Sequence, residues 1–130
     1  MIVKHRGYDE EHKKFVYGYY TKLIEGIRKF DCIITDDING LTRFYINNQE
    51  TINPSICQCD RNGIEIYNDD IIEWINAQGL DDGIGKIVWN NKESCFYVEN
   101  EKHNIYEPIY NVIDECSIIG NDYENSNYLD

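Results

Sequence analysis

The sequence is poor in several features that would assign it to a common class of protein. Its 130 residues include one methionine, two prolines and no apolar run close to the roughly 20 residues that cross a bilayer. The amino terminus lacks an apolar signal core. The five cysteines are an odd set without the spacing of a disulfide framework, as expected for reduced thiols. These absences predict a cytoplasmic protein with no membrane partner.

Basic residues are also scarce, with 12 Lys and Arg against 24 Asp and Glu, which gives a formal net charge of -12. The acidity is concentrated in the second half, where residues 57–83 carry one basic and seven acidic side chains and residues 99–130 carry one and eight. Phosphate backbones repel such a surface, so we expect no direct nucleic-acid partner. The simplest interpretation is a solvated acidic surface on a folded core, since 42% of the residues are hydrophobic.

Two hairpins and a helix are predicted in the first half. The β-favouring stretches Ile2 to Tyr8 and Phe15 to Tyr20 flank a charged turn, which indicates a hairpin. Residues 32–38 and 41–46 flank Asn39-Gly40, a dipeptide typical of a tight β-turn, and indicate another.

Between these hairpins, four apolar residues recur at helical spacing and predict a short helix in the segment 20–30, although Gly26 weakens it. They are Leu23, Ile24, Ile27 and Phe30. Asn53-Pro54-Ser55 is expected to end the first half, because proline cannot donate to a β-ladder, and we place the boundary at residue 56.

The second half contains several short β-favouring segments. Residues 85–89 and 95–100 predict a hairpin, residues 117–119 a last short strand, and the polar tail 121–130 a turn that then frays. Residues 69–75 are ambiguous, because their apolar side chains fit either one face of a helix or a strand buried on both faces. Short strands at this density indicate a small barrel or sandwich.

Two segments after residue 56 contain residue types found in metal sites. Cys57-Gln58-Cys59 is a C-x-C pair, but a structural zinc site needs four ligands, and thiols two apart on a strand can simply pack against the core. The segment from Asp60 to Glu65 resembles a calcium loop, yet its glycine comes two residues early. A turn stabilised by the Asp60 and Asn62 side chains explains it better.

The remaining polar residues give no catalytic constellation. The neighbouring carboxylates Asp36/Asp37, Asp69/Asp70 and Asp81/Asp82 point to opposite faces if they lie in strands. The isolated histidines are His5, His12 and His103. The glycines Gly79, Gly83 and Gly85 do not match a phosphate-binding loop. We therefore assign no catalytic, cofactor-binding or metal-binding residues and expect no cofactor.

Three segments together resemble, in order and spacing, the YopX family of small phage and prophage proteins. They are KHRGYDEEHKKFVYG at 4–18, CQCDRNGIEIYNDDIIEW at 57–74 and CSIIGNDYEN at 116–125. The resemblance implies a mainly β, α+β fold with an N-terminal α+β region over 1–56 and an SH3-type small β-barrel over 57–130. It also favours a strand at 69–75. One departure is Asp69, which stands where the family commonly has glycine.

The resemblance supplies no catalytic residues and implies an accessory protein of a phage or prophage, located in the cytoplasm of its bacterial host. We expect a non-enzymatic protein-interaction or self-assembling module, with a homo-oligomer as its concrete form and a host or phage protein as a possible partner. One alternative is an acidic decoy of nucleic acid that binds a host DNA-binding protein. Another is a hydrolase whose metal is held by acidic residues of the segment 60–73.

Overall fold

The computed structural model describes residues 3–130 and is mainly β. The strands are β1 (His5–Asp9), β2 (Lys14–Glu25), β3 (Arg28–Asp37), β4 (Gly40–Ile46), β5 (Asn53–Cys59), β6 (Glu65–Tyr67), β7 (Asp70–Trp74), β8 (Gly83–Asn90), β9 (Cys95–Asn100), β10 (Ile105–Pro108) and β11 (Cys116–Asn121). They form a six-stranded sheet, in the order β4-β3-β2-β1-β5-β6, and a five-stranded sheet, in the order β10-β9-β8-β7-β11. The chain divides into two compact units, the first ending at Ser55 and the second spanning Ile56–Asp130.

Both predicted hairpins of the first unit are confirmed. Strands β1 and β2 pair antiparallel from His5 opposite Gly18 to Asp9 opposite Lys14, and β3 pairs with β4 up to Asp37 opposite Gly40. Gly40 has a φ of 102°, a conformation that glycine adopts without steric cost. Ile2, where the first prediction began, lies outside the described residues.

The helix predicted over the segment 20–30 is wrong. Strand β2 continues to Glu25, the chain turns at Gly26 with a φ of 64°, and β3 starts at Arg28. Leu23 and Phe30 are direct cross-strand partners. Residues seven positions apart also lie on one face of a helix, about two turns apart. The same apolar spacing therefore fits a helix as well as this hairpin.

The core of the first unit lies on one face of its sheet. Val16, Ile33 and Ile46 are buried together. The registers of β2 with β3 and of β3 with β4 place the even-numbered residues of β2 and β4 on the same face as the odd-numbered residues of β3, and this face carries the core. Alternate side chains of the same strands therefore point to the other face.

Strand β5 begins where proline was expected to end the first half. Pro54 lies opposite His5 on β1, and the neighbouring Ser55 N–H donates to the Lys4 carbonyl oxygen at 2.8 Å. The ladder therefore continues through the residue after the proline. The missing N–H of Pro54 therefore does not interrupt the pairing of this segment with the first strand.

The second unit contains the open five-stranded sheet, and no closed barrel is detected among the described residues. Strands β10 and β11 are the two edges. The segment 70–74 is a strand, β7, as the resemblance implied, and it pairs with β8 and β11. Strands β8 and β9 form the predicted hairpin. The buried core of this unit consists of Ile56, Ile66, Ile72, Trp74, Ala77, Ile87, Val98, Ile109, Val112 and Cys116.

The tail is more ordered than a fraying turn. Residues Asp122–Asn125 form a short α-helix, α1, and Ser126–Leu129 continue as a 3-10 turn. The Asn121 side chain caps α1 by accepting from the Glu124 N–H at 2.8 Å. Lys86 on β8 pairs with Asp122 at 3.2 Å, and Lys102 pairs with Asp130.

Replacing Gly18 by alanine is expected to lower the free energy of unfolding by about 3 kcal/mol, the upper end of ordinary overpacking costs. A Cβ atom at this position would lie 2.1 Å from the carbonyl oxygen of Ile34, so β2 and β3 would have to separate. Chemical denaturation followed by far-ultraviolet circular dichroism measures the loss.

Gly26→Ala is the matched control. A Cβ atom at Gly26 meets nothing within 4 Å, so only its positive φ opposes alanine, at a cost of about 1 kcal/mol. Equal losses in the two variants would contradict the steric explanation for Gly18.

Candidate functional site

The residues singled out from the sequence lie in different surroundings. Cys57 and Cys59 are both exposed, so the expectation that they pack against the core is wrong. Cys57 has a φ of 61°, which interrupts the regular alternation of a strand. Cys32 and Cys116 are the two buried thiols.

Asp60 stabilises a turn, as predicted. One carboxylate oxygen accepts from the N–H groups of Asn62 and Ile64 at 2.9 and 3.0 Å, and the other accepts from the Ile118 N–H of β11 at 3.0 Å. Burial alone would raise the pKa of this carboxyl, but the backbone donors and the nearby Arg61 hold the pKa below its ordinary value of 3.8. Asp60 therefore links the turn to the last strand of the sheet.

The neighbouring residues Asp69 and Asp70 are also explained by local structure. Asp70 is buried and accepts from the Tyr67 N–H at 2.7 Å. Asp69 has a φ of 68°, the left-handed conformation that glycine adopts without strain. The chain can therefore turn here before β7 without a glycine, because aspartate tolerates this conformation better than most residues.

The three histidines lie apart from one another in the sequence and have different partners. His12 Nδ1 lies 2.5 Å from Asp9 Oδ2, and ligand atoms of Asp9, Glu11 and His12 all lie within 4.8 Å of one another. Sequence reasoning treated His12 as isolated, although the D-x-E-H spacing of this turn was visible. The hydrogen bonds that Asp9 accepts in this turn account for the arrangement. His5 and His103 contact main-chain oxygens.

The first unit presents an aromatic surface on the side of its sheet away from the core. Tyr19, Leu41 and Tyr45 share this side by register, and Tyr17 shares it by alternation along β2; we call these four residues the tyrosine face. The tyrosines are 43–50% exposed and Leu41 is 73% exposed. Phe30 packs edge to face against Tyr45 with ring centres 5.6 Å apart. Composition indicated many tyrosines, but only the register shows which of them share a face.

The second unit contains a cleft of about 560 Å³ beside Trp74. The indole N–H donates to the Asp81 carbonyl oxygen at 3.0 Å. A Cβ atom at Gly83 would lie 2.5 Å from the indole, so glycine at this position lets Trp74 lie against strand β8. Asp81 and Asp82, expected to point away from each other, both line this cleft.

The YopX protein family matches residues 4–130, so the chain belongs to this family. The crystal structure of protein EF1440 from Enterococcus faecalis has a similar fold, with a TM-score of 0.56 at 20% sequence identity over 100% of this chain and 99% of that one. At this identity the similarity supports the fold alone. No match is found among curated proteins. Within residues 3–130, no helix has the length and apolarity needed to span a membrane.

Asp60→Asn is expected to lower the free energy of unfolding by about 2 kcal/mol at neutral pH, because the amide NH₂ group cannot accept from the Ile118 N–H. The pKa of Asp60 is lower in the folded protein than its ordinary 3.8. The stabilisation is therefore complete above that pH and disappears as the pH falls through the folded value. Denaturation as a function of pH should show a shallower acid loss in the variant.

Asp114→Asn, at an exposed position of the same unit, is the control for this effect. It should leave both the stability and its acid dependence unchanged. An acid loss that is equally steep in Asp60→Asn and the natural protein would contradict the role assigned to Asp60.

Thiol labelling of the native protein at mildly alkaline pH should modify Cys57 and Cys59 first, since both are exposed. Burial and the charge of Asp60 raise the pKa of the Cys116 thiol to about 12, and burial also raises the pKa of Cys32, so neither forms the reactive thiolate. Mass spectrometry locates the labels. Cys57→Ser/Cys59→Ser should remove the fast phase, and rapid labelling of Cys116 would contradict the described burial.

Proposed function

We propose that this protein is a non-catalytic accessory module, of phage or prophage origin, that pairs with a second copy of itself through the tyrosine face. The observation that carries the proposal is the concentration of exposed aromatic area on one side of the first unit's sheet. Tyrosine combines a large apolar surface with a polar tip, and it is enriched at protein interfaces for that reason.

Charges on the same side of the sheet favour a second copy as the partner. Arg28 and Arg43 share this side with Glu25 and Asp36. A two-fold symmetric contact places the same surface on both partners, so a surface that carries both signs can oppose unlike charges when it meets itself. A surface of one sign would repel its copy.

The surroundings of the acidic segment support a non-catalytic role. The hydrolase alternative requires carboxylates between residues 60 and 73 that are available to a metal. Asp60 and Asp70 are buried and accept hydrogen bonds from backbone N–H groups within their own turns or from β11. Binding a metal through them would break contacts that stabilise the second unit.

Light scattering at micromolar concentration should give a mass near twice 15.4 kDa. Leu41→Lys is expected to shift the protein toward monomer, because it places a charge in the proposed apolar contact. Ile24→Lys is the matched control, since Ile24 is 69% exposed and lies on the opposite side of the same three strands. It should leave the dimer intact.

Tyr19→Lys separates a face contact from pairing at the edge of the sheet. Strand β4, which carries Leu41, is an edge strand, whereas Tyr19 lies on β2 in the sheet interior. Loss of the dimer in both variants supports the tyrosine face. A dimer that survives Tyr19→Lys and not Leu41→Lys would assign the contact to the β4 edge, and a monomeric natural protein would overturn the proposal.

A further inference from the structure

We infer that the cleft beside Trp74 binds an aliphatic amine, a ligand that carries one or more ammonium groups on an apolar chain. All of its lining residues belong to the second unit, so the inference does not depend on self-association through the first. Its volume of about 560 Å³ lies within the range typical of small-molecule sites, about 300–1,000 Å³.

One part of the cleft wall is apolar. Trp74, Leu80, Ile84 and Ile105 line it. The indole is held in place by its hydrogen bond to the Asp81 carbonyl oxygen and by its close approach to Gly83. Such a wall favours a ligand with a hydrocarbon portion, because that portion leaves water when it binds.

Carboxylates carry most of the charge in the polar part of the lining. Four of its residues carry carboxylates, and the other polar lining residues among those described are two asparagines, a tyrosine and a histidine, with no lysine or arginine. The carboxylates belong to Asp81, Asp82, Glu107 and Asp130. Clustered carboxylates in a concave site attract cations from solution, since low-dielectric walls concentrate their field. An apolar wall beside these carboxylates fits an organic cation better than a bare metal ion, which prefers oxygen ligands on every side.

Hydrogen bonds orient two of these carboxylates without neutralising them. Asp82 accepts from the Asn76 N–H at 2.9 Å, and Glu107 accepts from the Asn111 side-chain amide at 3.1 Å. Both donors are uncharged, so neither of these contacts is an ion pair. Asp130 differs, because Lys102 pairs with it.

Trp74 supplies a direct measurement of binding. The sequence has two tryptophans, and the second, Trp89, lies outside the cleft lining. In a Trp89→Phe background, titration with cadaverine should produce a saturable change in Trp74 fluorescence. Pentanediol, which has the same chain and no charge, should produce none. A short lysine peptide, acetylated at its N-terminus so that only side-chain amines are free, forms a further arm of the experiment. Tighter binding of this peptide than of cadaverine would indicate that the ligand is a polypeptide.

Removing two cleft carboxylates tests the site itself. Asp81→Asn/Glu107→Gln should weaken cadaverine binding by at least about tenfold. Both substitutions keep a hydrogen-bond acceptor, and the Asp81 carbonyl that holds Trp74 is unchanged. Glu50→Gln/Glu93→Gln removes the same charge from exposed positions outside the cleft and should leave the affinity unchanged.

Three results would overturn the inference. One is a fluorescence response that does not saturate with either amine. Another is an equal response to pentanediol, which would show that only the apolar wall matters. The third is equal weakening in the two double variants, which would show that net charge, and not this cleft, attracts the amine.

Discussion

The architecture of the first unit depends on an apolar core that lies on one face of its sheet. Val16, Ile33 and Ile46 supply that core. Because side chains alternate along a strand, the residues between core positions must point to the opposite side. On β2 and β4 those intervening positions include Tyr17, Tyr19, Leu41 and Tyr45, and this is why the aromatic surface exists.

The second unit has a different organisation, in which one buried carboxylate connects distant parts of the chain. Asp60 accepts hydrogen bonds from its own turn and from Ile118, 58 positions later. The same negative charge adds to burial in raising the pKa of Cys116. The acidic residues of this half therefore include at least one carboxylate with a structural role as well as carboxylates exposed to solvent. Net charge alone does not distinguish these two kinds of carboxylate.

Local signals predicted local structure well. The Asn39-Gly40 hairpin and the hairpin of β8 and β9 follow from turn residues and short β-favouring runs, and both are present. The helix prediction failed because Leu23 and Phe30 meet across a turn, which depends on register and not on periodicity. Strand β5 was not predicted, because Pro54 has no N–H to donate. The pairing continues there because the adjacent Ser55 N–H donates to the Lys4 carbonyl oxygen.

The candidate sites were less predictable because they combine residues that are distant in sequence. The cleft acids come from positions 81, 82, 107 and 130, and no spacing rule connects them. The tyrosine face likewise requires the strand register. Asp9, Glu11 and His12 lie close together in a single turn, but their D-x-E-H spacing matches none of the longer metal-binding patterns, so the sequence indicated only an isolated histidine.

The central claim is that the tyrosine face meets a second copy of the chain, and side-chain footprinting across a concentration series tests it most directly. Hydroxyl radicals oxidise exposed tyrosines, and Tyr106 and Tyr110 are exposed internal references outside this face. The account predicts that oxidation of Tyr17, Tyr19 and Tyr45 falls as protein concentration rises, while oxidation of the two references stays constant. Constant oxidation of all five tyrosines in a protein that dimerises would contradict it.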